Sequence, residues 1–531
     1  MSFLRLQISF LRFRAPALGD PGPLSNFNAM KTLFSIVLAL IVITARSQVT
    51  IQWGQTQMIS KTTLTLQVVV NPPMRRGTPI HDSIFTALQA LGCDYVRFVP
   101  WLPYPRLGVA ELKENVWDFS VIDPITLDFL EATKGHSVIL NFSTIPAWMY
   151  KTAQPVAYPD DPYAVFWDYT QGNVPRDTTY GEIARYYARL YSWYTKGGFT
   201  DETGARHGSG HHYAVPYWEV LNEVDFEHGN TAQSYTRLYD AVTGAIKKIS
   251  PGTKFVAMAL ADPNRPEWFE YFLDRKHHKD GVPLDMISYH FYATGNAHQV
   301  GDVLQYTFWE RADGFLNTVK FIESIRKRLS PATKTTIDEL GSILDNDNTV
   351  PDRDPIPDDY WNLSGALYAY TYLGLAHQGI DVVGESQLVG YPTQYPSVSM
   401  INWKTGRPNA RYWVLKLLKD NFGPGDTFVN SAGAPDAITL QAVATAKGRR
   451  LLLINKRDKL VRLVLPKEFD GGWLHVVDTS TGDEKPAEIP ITGAAIELKP
   501  FAVAVAGAHF LDTSRKAIAG IPAAFRKKRE K

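Results

Sequence analysis

The 531 residues contain one cysteine, Cys93, so an internal disulfide framework is excluded. It falls between an apparent helix end, Leu91-Gly92, and a strand, where a small buried thiol is expected. Charge of one sign is equally scarce. The 55 Lys and Arg residues against 54 Asp and Glu leave a formal net charge of +1. The chain therefore lacks the basic footprint of a protein that works on nucleic acid or an anionic membrane surface. Metal-ligand spacing is missing too: His211-His212 and His277-His278 have no third ligand at useful spacing and read as surface loops. Low-complexity segments and internal repeats are absent, and no Gly-rich phosphate loop follows the first strand of the alternating region.

What is present is an ordinary globular balance, 45% hydrophobic and 21% charged, long enough for one large domain and a smaller one. Near the start, Met30-Lys31 precedes the apolar run Leu33–Ile43 and then Ala45-Arg46-Ser47. A basic segment, a short apolar stretch and small residues at the last and third-last positions describe a secretory signal peptide, with cleavage expected after Ser47. The run is too short for an ordinary membrane span, so no stable membrane anchor is expected. Met30 is the expected true start, with residues 1–29 as untranslated upstream sequence. Export without disulfides suits a secreted or periplasmic bacterial protein. Two Asn-x-Ser matches, at Asn141 and Asn362, fall in a predicted strand and helix and are read as chance.

From Leu64 onward, strand and helix patterns alternate. Strands are predicted at Leu64–Val70, Tyr95–Val99, Ser137–Phe142, Tyr217–Glu223, Phe255–Leu260, Met286–Tyr292, Thr335–Leu340 and Asp381–Leu388. Helices are predicted over 80–91, 124–133 (capped by Asp123), 179–194, 231–249, 267–275, 313–329, 360–378 (stopped by Gly379) and 411–421. Eight strand-then-helix units predict a closed (β/α)8 barrel over residues 64–425. From about Asp426 the period changes to short strands between turn residues, which predicts an antiparallel β-sandwich over 426–507. Strands at 50–52 and 57–60, within an N-terminal stretch 48–63, are candidates to complete it. Residues 508–531 form a basic tail, read as a solvated terminus.

In such a barrel the C-terminal ends of the strands carry the site. Those ends offer Arg97 and Trp101, Asn141 and Trp148, Asn222 and Glu223, His290 and Tyr292, Glu339, and Glu385 with Gln387. The set holds carboxylates, amides and aromatics, with no lysine poised for a Schiff base. A carboxylate closing each of two apolar strands, Glu223 and Glu339, is costly to bury unless paired or used. Two such groups facing one another are what glycoside hydrolysis needs, one as proton donor and one to meet the developing cation.

The strand ends Trp218…Asn222-Glu223, His290-Phe291-Tyr292 and Glu339 resemble glycoside hydrolase clan A. Over roughly residues 50–507, and in the run Trp218-Glu219-Val220-Leu221-Asn222-Glu223, the chain most resembles family 39, the β-xylosidase and α-L-iduronidase family. The resemblance implies a cofactor-free retaining hydrolase acting on a carbohydrate, with Glu223 as acid/base and Glu339 as nucleophile. It further implies that Asn222 bonds the sugar 2-hydroxyl and Tyr292 holds Glu339 ionised. Arg97 is a candidate for the same support, His290, Trp101 and Asn141 are candidate substrate contacts, and Trp148 is a candidate stacking platform. Two departures stand out. Val224-Asp225 follows Asn222-Glu223 where proline is common, and Glu385 stands where a tryptophan is frequent. Glu385 is then either a receiver of sugar hydroxyls or the partner of Arg97 or Lys404. The alternatives to a xylosidase-like or iduronidase-like enzyme are an endoglucanase, a glucuronidase, or a carbohydrate-binding protein on a retired barrel.

Overall fold

The computed structural model describes residues 48–295, 302–344, 347 and 355–508. The expected signal peptide and the tail beyond residue 508 lie outside the described residues. The chain enters through β1 (Thr50–Ile59), followed by β2 (Thr63–Val69), β3 (Val96–Val99) and β4 (Val138–Leu140). A small hairpin, β5 (Gly198–Thr200) and β6 (Arg206–Gly208), precedes β7 (Tyr217–Glu219), β8 (Lys254–Leu260), β9 (Met286–Gly295), β10 (Lys334–Leu344) and β11 (Val382–Glu385). Eight of these, β2, β3, β4 and β7 to β11, form a closed parallel barrel in which β11 pairs back onto β2. Their residues are buried almost without interruption, as expected of strands with side chains in the barrel on one face and helices on the other.

The helices are α1 (His81–Leu91), α2 (Asp123–Ala132), α3 (Gly181–Thr195), α4 (Ala232–Ile249), α5 (Pro266–Phe272), α6 (Asp302–Leu329), α7 (Tyr360–Gln378) and α8 (Ala410–Asn421). One follows each barrel strand, as the alternation predicts. Asp123 does not cap α2. It lies inside the first turn, and its carboxylate accepts from Trp193 Nε1 at 2.9 Å and Tyr194 OH at 2.9 Å, tying α2 to α3. The helix α4 does start with a cap: Thr231 and Ser234 exchange reciprocal bonds. Gly379, at φ 75°, closes α7 in the left-handed conformation that glycine adopts without strain.

The C-terminal region supplies β12 (Thr427–Ala432), β13 (Ile438–Thr445), β14 (Gly448–Asn455), β15 (Val461–Val464), β16 (Trp473–Val477), β17 (Ala487–Pro490), β18 (Ala495–Leu498) and β19 (Val503–Gly507). Seven strands form one antiparallel sheet in the order β1-β12-β13-β14-β19-β16-β17, and β15 pairs with β18 as a second layer. Sequence reading missed β12, β17 and the β5–β6 hairpin, all short and broken by polar residues. The N-terminal stretch is one strand with register shifts rather than two separate strands, and it pairs with β12. Period-two alternation splits the large sheet's side chains. Leu451, Leu453, Ala504 and Ala506 pack with Leu463 and Leu498 of the second layer. Leu452, Ile454, Val503 and Val505 belong to the barrel's own core. That explains why α7 is apolar on nearly every face, since it lies between the barrel and this sheet.

Strand β10 carries an irregularity that matters below. Against β9, Thr336 pairs with Ser288 and Glu339 with His290, three steps on one strand against two on the other. Against β11, Ile337 pairs with Val383 and Leu340 with Glu385, again three against two. One extra residue is therefore inserted at Asp338-Glu339, a β-bulge. In a regular strand these neighbours would face opposite sides; here both side chains reach Arg97.

Candidate active site

Arg97, on β3, is fully buried and sits at the centre of the barrel's C-terminal end. Its Nε donates to Glu219 Oε2 at 2.5 Å, with Asp338 Oδ2 at 3.5 Å. Nη1 donates to Gln67 Oε1 and to Glu339 Oε1 (2.6 Å), and Nη2 to Asn222 Oδ1 at 2.6 Å. One guanidinium thus fixes four strand ends, β2, β3, β7 and β10. Burial works against its charge, but Glu219, Asp338 and Glu339 together raise its pKa above the ordinary value.

Strand β7 ends at Glu219, earlier than its sequence predicts, and the chain then turns sharply. Leu221 has φ 67° and Glu223 φ 40°, left-handed values uncommon for such side chains, of the kind that collects at functional sites. Tyr235 of α4 holds the turn in place: its hydroxyl donates to Val220 O at 3.0 Å and accepts from Met258 N at 2.7 Å. The turn aims Asn222 at Arg97 and sets Glu223 beside His290, whose Nδ1 lies 3.1 Å from Glu223 Oε1 and 3.5 Å from Glu339 Oε2. His290 Nε2 faces Asp338 Oδ1 at 3.5 Å. Glu339 also accepts from Tyr292 OH at 2.8 Å, and that hydroxyl lies 2.6 Å from Ser386 Oγ. Both Glu339 oxygens therefore meet donors, the pattern of an ionised carboxylate.

The charges sort themselves. Five carboxyl groups (Glu219, Glu223, Glu227, Asp338, Glu339) surround two cations, Arg97 and His290. Burial pushes Glu219 up to about 7 despite Arg97. Burial also raises Glu223, against the pull of His290 and helped by Glu339, and raises Glu227 well above the carboxylate range, with Glu223 adding to it. Asp338 is lowered: burial opposes this, but Arg97 and His290 outweigh it. His290 is held well above its usual value, with Glu339, Asp338 and Glu223 overcoming its burial. Glu223, with its pKa raised by burial, and Glu339, which accepts from Arg97 and Tyr292, are thus two carboxyl groups in unlike surroundings. Glu223, His290 and Glu339 also bring one potential metal-ligand atom each within 4.8 Å of one another. Within that set His290 Nδ1 is hydrogen-bonded to Glu223 Oε1 and stands 3.5 Å from Glu339 Oε2.

These groups open into a cleft of about 380 Å³, within the range of small-molecule sites. Asn222, Glu223, Glu227, Tyr292 and Glu339 line it, and Trp101, Trp167 and Tyr395 form an aromatic cluster on its wall, with ring centroids 5.3 to 6.2 Å apart. A larger, open groove of about 760 Å³ lies along α4 and α5 but shares no residue with the carboxylate network.

Of the residues singled out in the sequence, Arg97, Asn222, Glu223, His290, Tyr292, Glu339 and Trp101 come together here. Arg97 and His290 sit behind the lining, and three further residues do not line the cleft either. Asn141 is fully buried, where its amide donates to Glu219 Oε2 (2.7 Å) and Leu221 O (3.0 Å), so it braces the turn rather than meeting a ligand. Trp148 donates to Glu111 O, and its ring is covered by the Arg176 guanidinium at 4.8 Å, which removes it as a stacking platform. Glu385 is corrected twice. It is fully buried outside the cleft, and its partner is Arg411 (3.1 Å), neither Arg97 nor Lys404. The residues that follow it, Ser386 and Gln387, reach the site instead. Sequence reading missed Gln67, Glu219, Ser288, Asp338 and Glu227. Each of the first four is a polar residue inside an apolar barrel strand, a signal that was available.

Comparison with known proteins bears on the architecture. A family model described as D-apionate lactonase, C-terminal immunoglobulin-like domain, matches residues 435–506. A search of curated proteins finds no match. Among solved structures, the chain is similar to a family 51 arabinofuranosidase from Xanthomonas axonopodis pv. citri. The TM-score is 0.58 and the identity 12%, over 86% of this chain and 98% of that one. It is also similar to a glucosidase from Croceicoccus marinus (TM-score 0.53, 14% identity, 87% and 98% covered). A third is a glycoside hydrolase family 30 subfamily 8 xylanase from Clostridium acetobutylicum (TM-score 0.52, 12% identity, 86% and 98% covered). At these identities the likeness establishes the fold, a parallel barrel with an antiparallel C-terminal domain.

Proposed function

We propose that the protein is a retaining glycoside hydrolase acting through Glu223 and Glu339. The observation that carries this reading is the unlike pair itself. A Glu223 oxygen and a Glu339 oxygen lie within 4.8 Å of each other at the floor of one cleft. Burial raises the pKa of the first, and Arg97 and Tyr292 donate to the second. Retaining enzymes set their carboxyl groups about 5–5.5 Å apart and inverting ones about 6.5–9.5 Å apart, so the short separation favours retention. In the first step the Glu339 carboxylate attacks the anomeric carbon while Glu223 gives its proton to the leaving oxygen. In the second, Glu223 takes a proton from water, the water oxygen attacks the anomeric carbon, and the Glu339 ester bond breaks. Asn222, held by Arg97, is positioned to bond the hydroxyl next to the reacting carbon. The finer reading, a family 39-like xylosidase or iduronidase exported from the cell, rests on the strand-end residues and on the Met30–Ser47 segment alone.

The test is hydrolysis of aryl xylosides, arabinosides, glucosides, galactosides and glucuronides by wild type and by Glu339→Ala, with and without azide. Loss of turnover in the variant, with partial return in azide on a good leaving group, is the expected result. An unimpaired Glu339→Ala sinks the assignment. A second reading is lactone hydrolysis, in which a carboxylate activates water to attack a sugar-lactone carbonyl and open the ring to a hydroxy acid. The match at residues 435–506 favours it, but that match covers none of the carboxylates. Acid release from sugar lactones, in place of glycoside cleavage, would make it the better account.

A further inference from the structure

The loop that follows the acid carries an aromatic ring with no part in the two steps above. Phe226 N–H and Glu227 N–H both donate to Glu223 O at 2.8 Å. A turn closed this way keeps the α-carbons of Glu223 and Phe226 within about 7 Å of each other. Asp225 anchors the turn to the end of β8, accepting from Ala261 N–H at 2.9 Å and from Asp262 N–H at 3.1 Å. Val224 is fully buried, and His228 is bonded to Gln171 of the long loop after β4. Phe226 is the exception on this anchored backbone: it is 76% exposed and lines the cleft.

A second ring lines the same cleft. Trp167, from the loop that Gln171 ties to this one, is 42% exposed. It is braced in edge-to-face contact by Trp101 and Tyr395, at centroid distances of 5.3 and 5.8 Å. Single exposed apolar side chains are ordinary, but two rings on anchored backbone, in a cleft otherwise rich in carboxyl and amide groups, mark a ligand groove. The chemistry says which part of the ligand meets them. The sugar that forms the ester sits over Glu339, Tyr292 and Asn222. The leaving oxygen must instead come within about 2.6–3.2 Å of the Glu223 carboxyl. The leaving group therefore starts beside the acid, and Phe226 is one turn away from it.

We propose that Phe226 and Trp167 form the leaving-group subsite and select glycosides whose leaving group presents a flat apolar face. This rests on the glycosidase reading and adds to it the class of leaving group. An aryl ring and the C–H face of a second sugar both offer such a surface, because stacking on an aromatic face needs area rather than hydrogen-bond partners. Contact with either takes the two exposed rings out of water. The contact exists only while the leaving group is attached, so it assists formation of the glycosyl ester and not its hydrolysis.

The experiment measures kcat/KM for wild type, Phe226→Ala and Trp167→Ala on three substrates of the sugar cleaved best: its dinitrophenyl glycoside, its disaccharide and its glycosyl fluoride. Fluoride offers no face to stack on, and neither fluoride nor dinitrophenolate needs much help from the acid. Their ratio therefore separates ring contact from damage to Glu223. Each variant is expected to lose about tenfold or more on the dinitrophenyl glycoside and less than about twofold on the fluoride. A parallel loss on the disaccharide shows that a second sugar stacks there too, and an unchanged disaccharide narrows the subsite to aryl leaving groups; both support the proposal. Equal changes on the dinitrophenyl glycoside and the fluoride overturn it with the glycosidase reading intact. A loss on the disaccharide alone also overturns it, because Phe226 then acts through the turn that holds the acid. A wild type that cleaves none of the three overturns the glycosidase reading, and this proposal with it.

Discussion

Glu339 and Glu385 lie on neighbouring strands of the same barrel, and each is held by a buried arginine. Glu339 accepts from Arg97 and Tyr292, is 6% exposed and lines the cleft. Glu385 meets Arg411 of α8, is 0% exposed and faces the helices. The difference is phase. Paired residues on adjacent strands point to the same face, and Glu385 pairs with Leu66 and Leu340, both part of the apolar core. Glu339 pairs with His290, which faces the site. Period two means that a shift of one residue exchanges a cleft wall for a helix contact. The extra residue in β10 even allows Asp338 and Glu339 to share the inward side. A carboxylate at a strand end is therefore only half of a site, and its face is the other half.

The largest expected effect tests that contrast at the chemistry. Glu339→Ala should lower turnover by at least about 10³-fold, while Glu385→Ala leaves kcat per folded molecule within about twofold. Steady-state kinetics on the best aryl glycoside reads both, and an equal loss in the two would erase the distinction. Next, Glu223→Gln should cost about 10²–10⁴-fold on an unactivated substrate, because the proton donor is gone. A loss confined to KM would argue against that role. Third, Glu385→Ala should destabilise the fold by about 3–5 kcal/mol, since Arg411 loses its acceptor in a buried site. Denaturant titration measures this, and an unchanged midpoint would show that the pair carries no structural load. Burial pushes Glu385 up to about 8, so Glu385→Gln, which mimics the neutral acid, should be far milder than Glu385→Ala near neutral pH.

The smallest effect concerns pH. In the proposed mechanism Glu223 acts as the acid while protonated, so activity would be present below its pKa and fall as pH rises through it. Burial raises that pKa and His290 pulls it down. His290→Asn should therefore move the alkaline limb of kcat/KM to higher pH. A limb that stays fixed or moves lower would remove His290 from control of the acid.

Much of this was legible in the residues. Apolar runs separated by helical spacing located all eight barrel strands, and the abrupt glutamates at 223 and 339 located the pair. What was hidden depends on the third dimension. Trp148 has the right type and position for a platform, but no local pattern tells that Arg176 covers its ring. The phase of Glu385 cannot be read where a strand runs straight into a loop. Glu227 sits in a loop whose fold depends on a left-handed backbone at Glu223, a conformation that side-chain type does not announce.

One consequence reaches back to synthesis. The first described strand, β1, finds its partner in β12, and Thr50 bonds to Ala432 across a separation of 382 residues. At about 5–20 residues per second, roughly 20–75 s pass between the emergence of the two. Throughout that interval the growing chain carries an unmatched edge strand while the barrel assembles behind it. The β1 edge thus stays open until β12, the first strand of the C-terminal sheet, arrives, and the nascent polypeptide must be kept from pairing it with a neighbour until then.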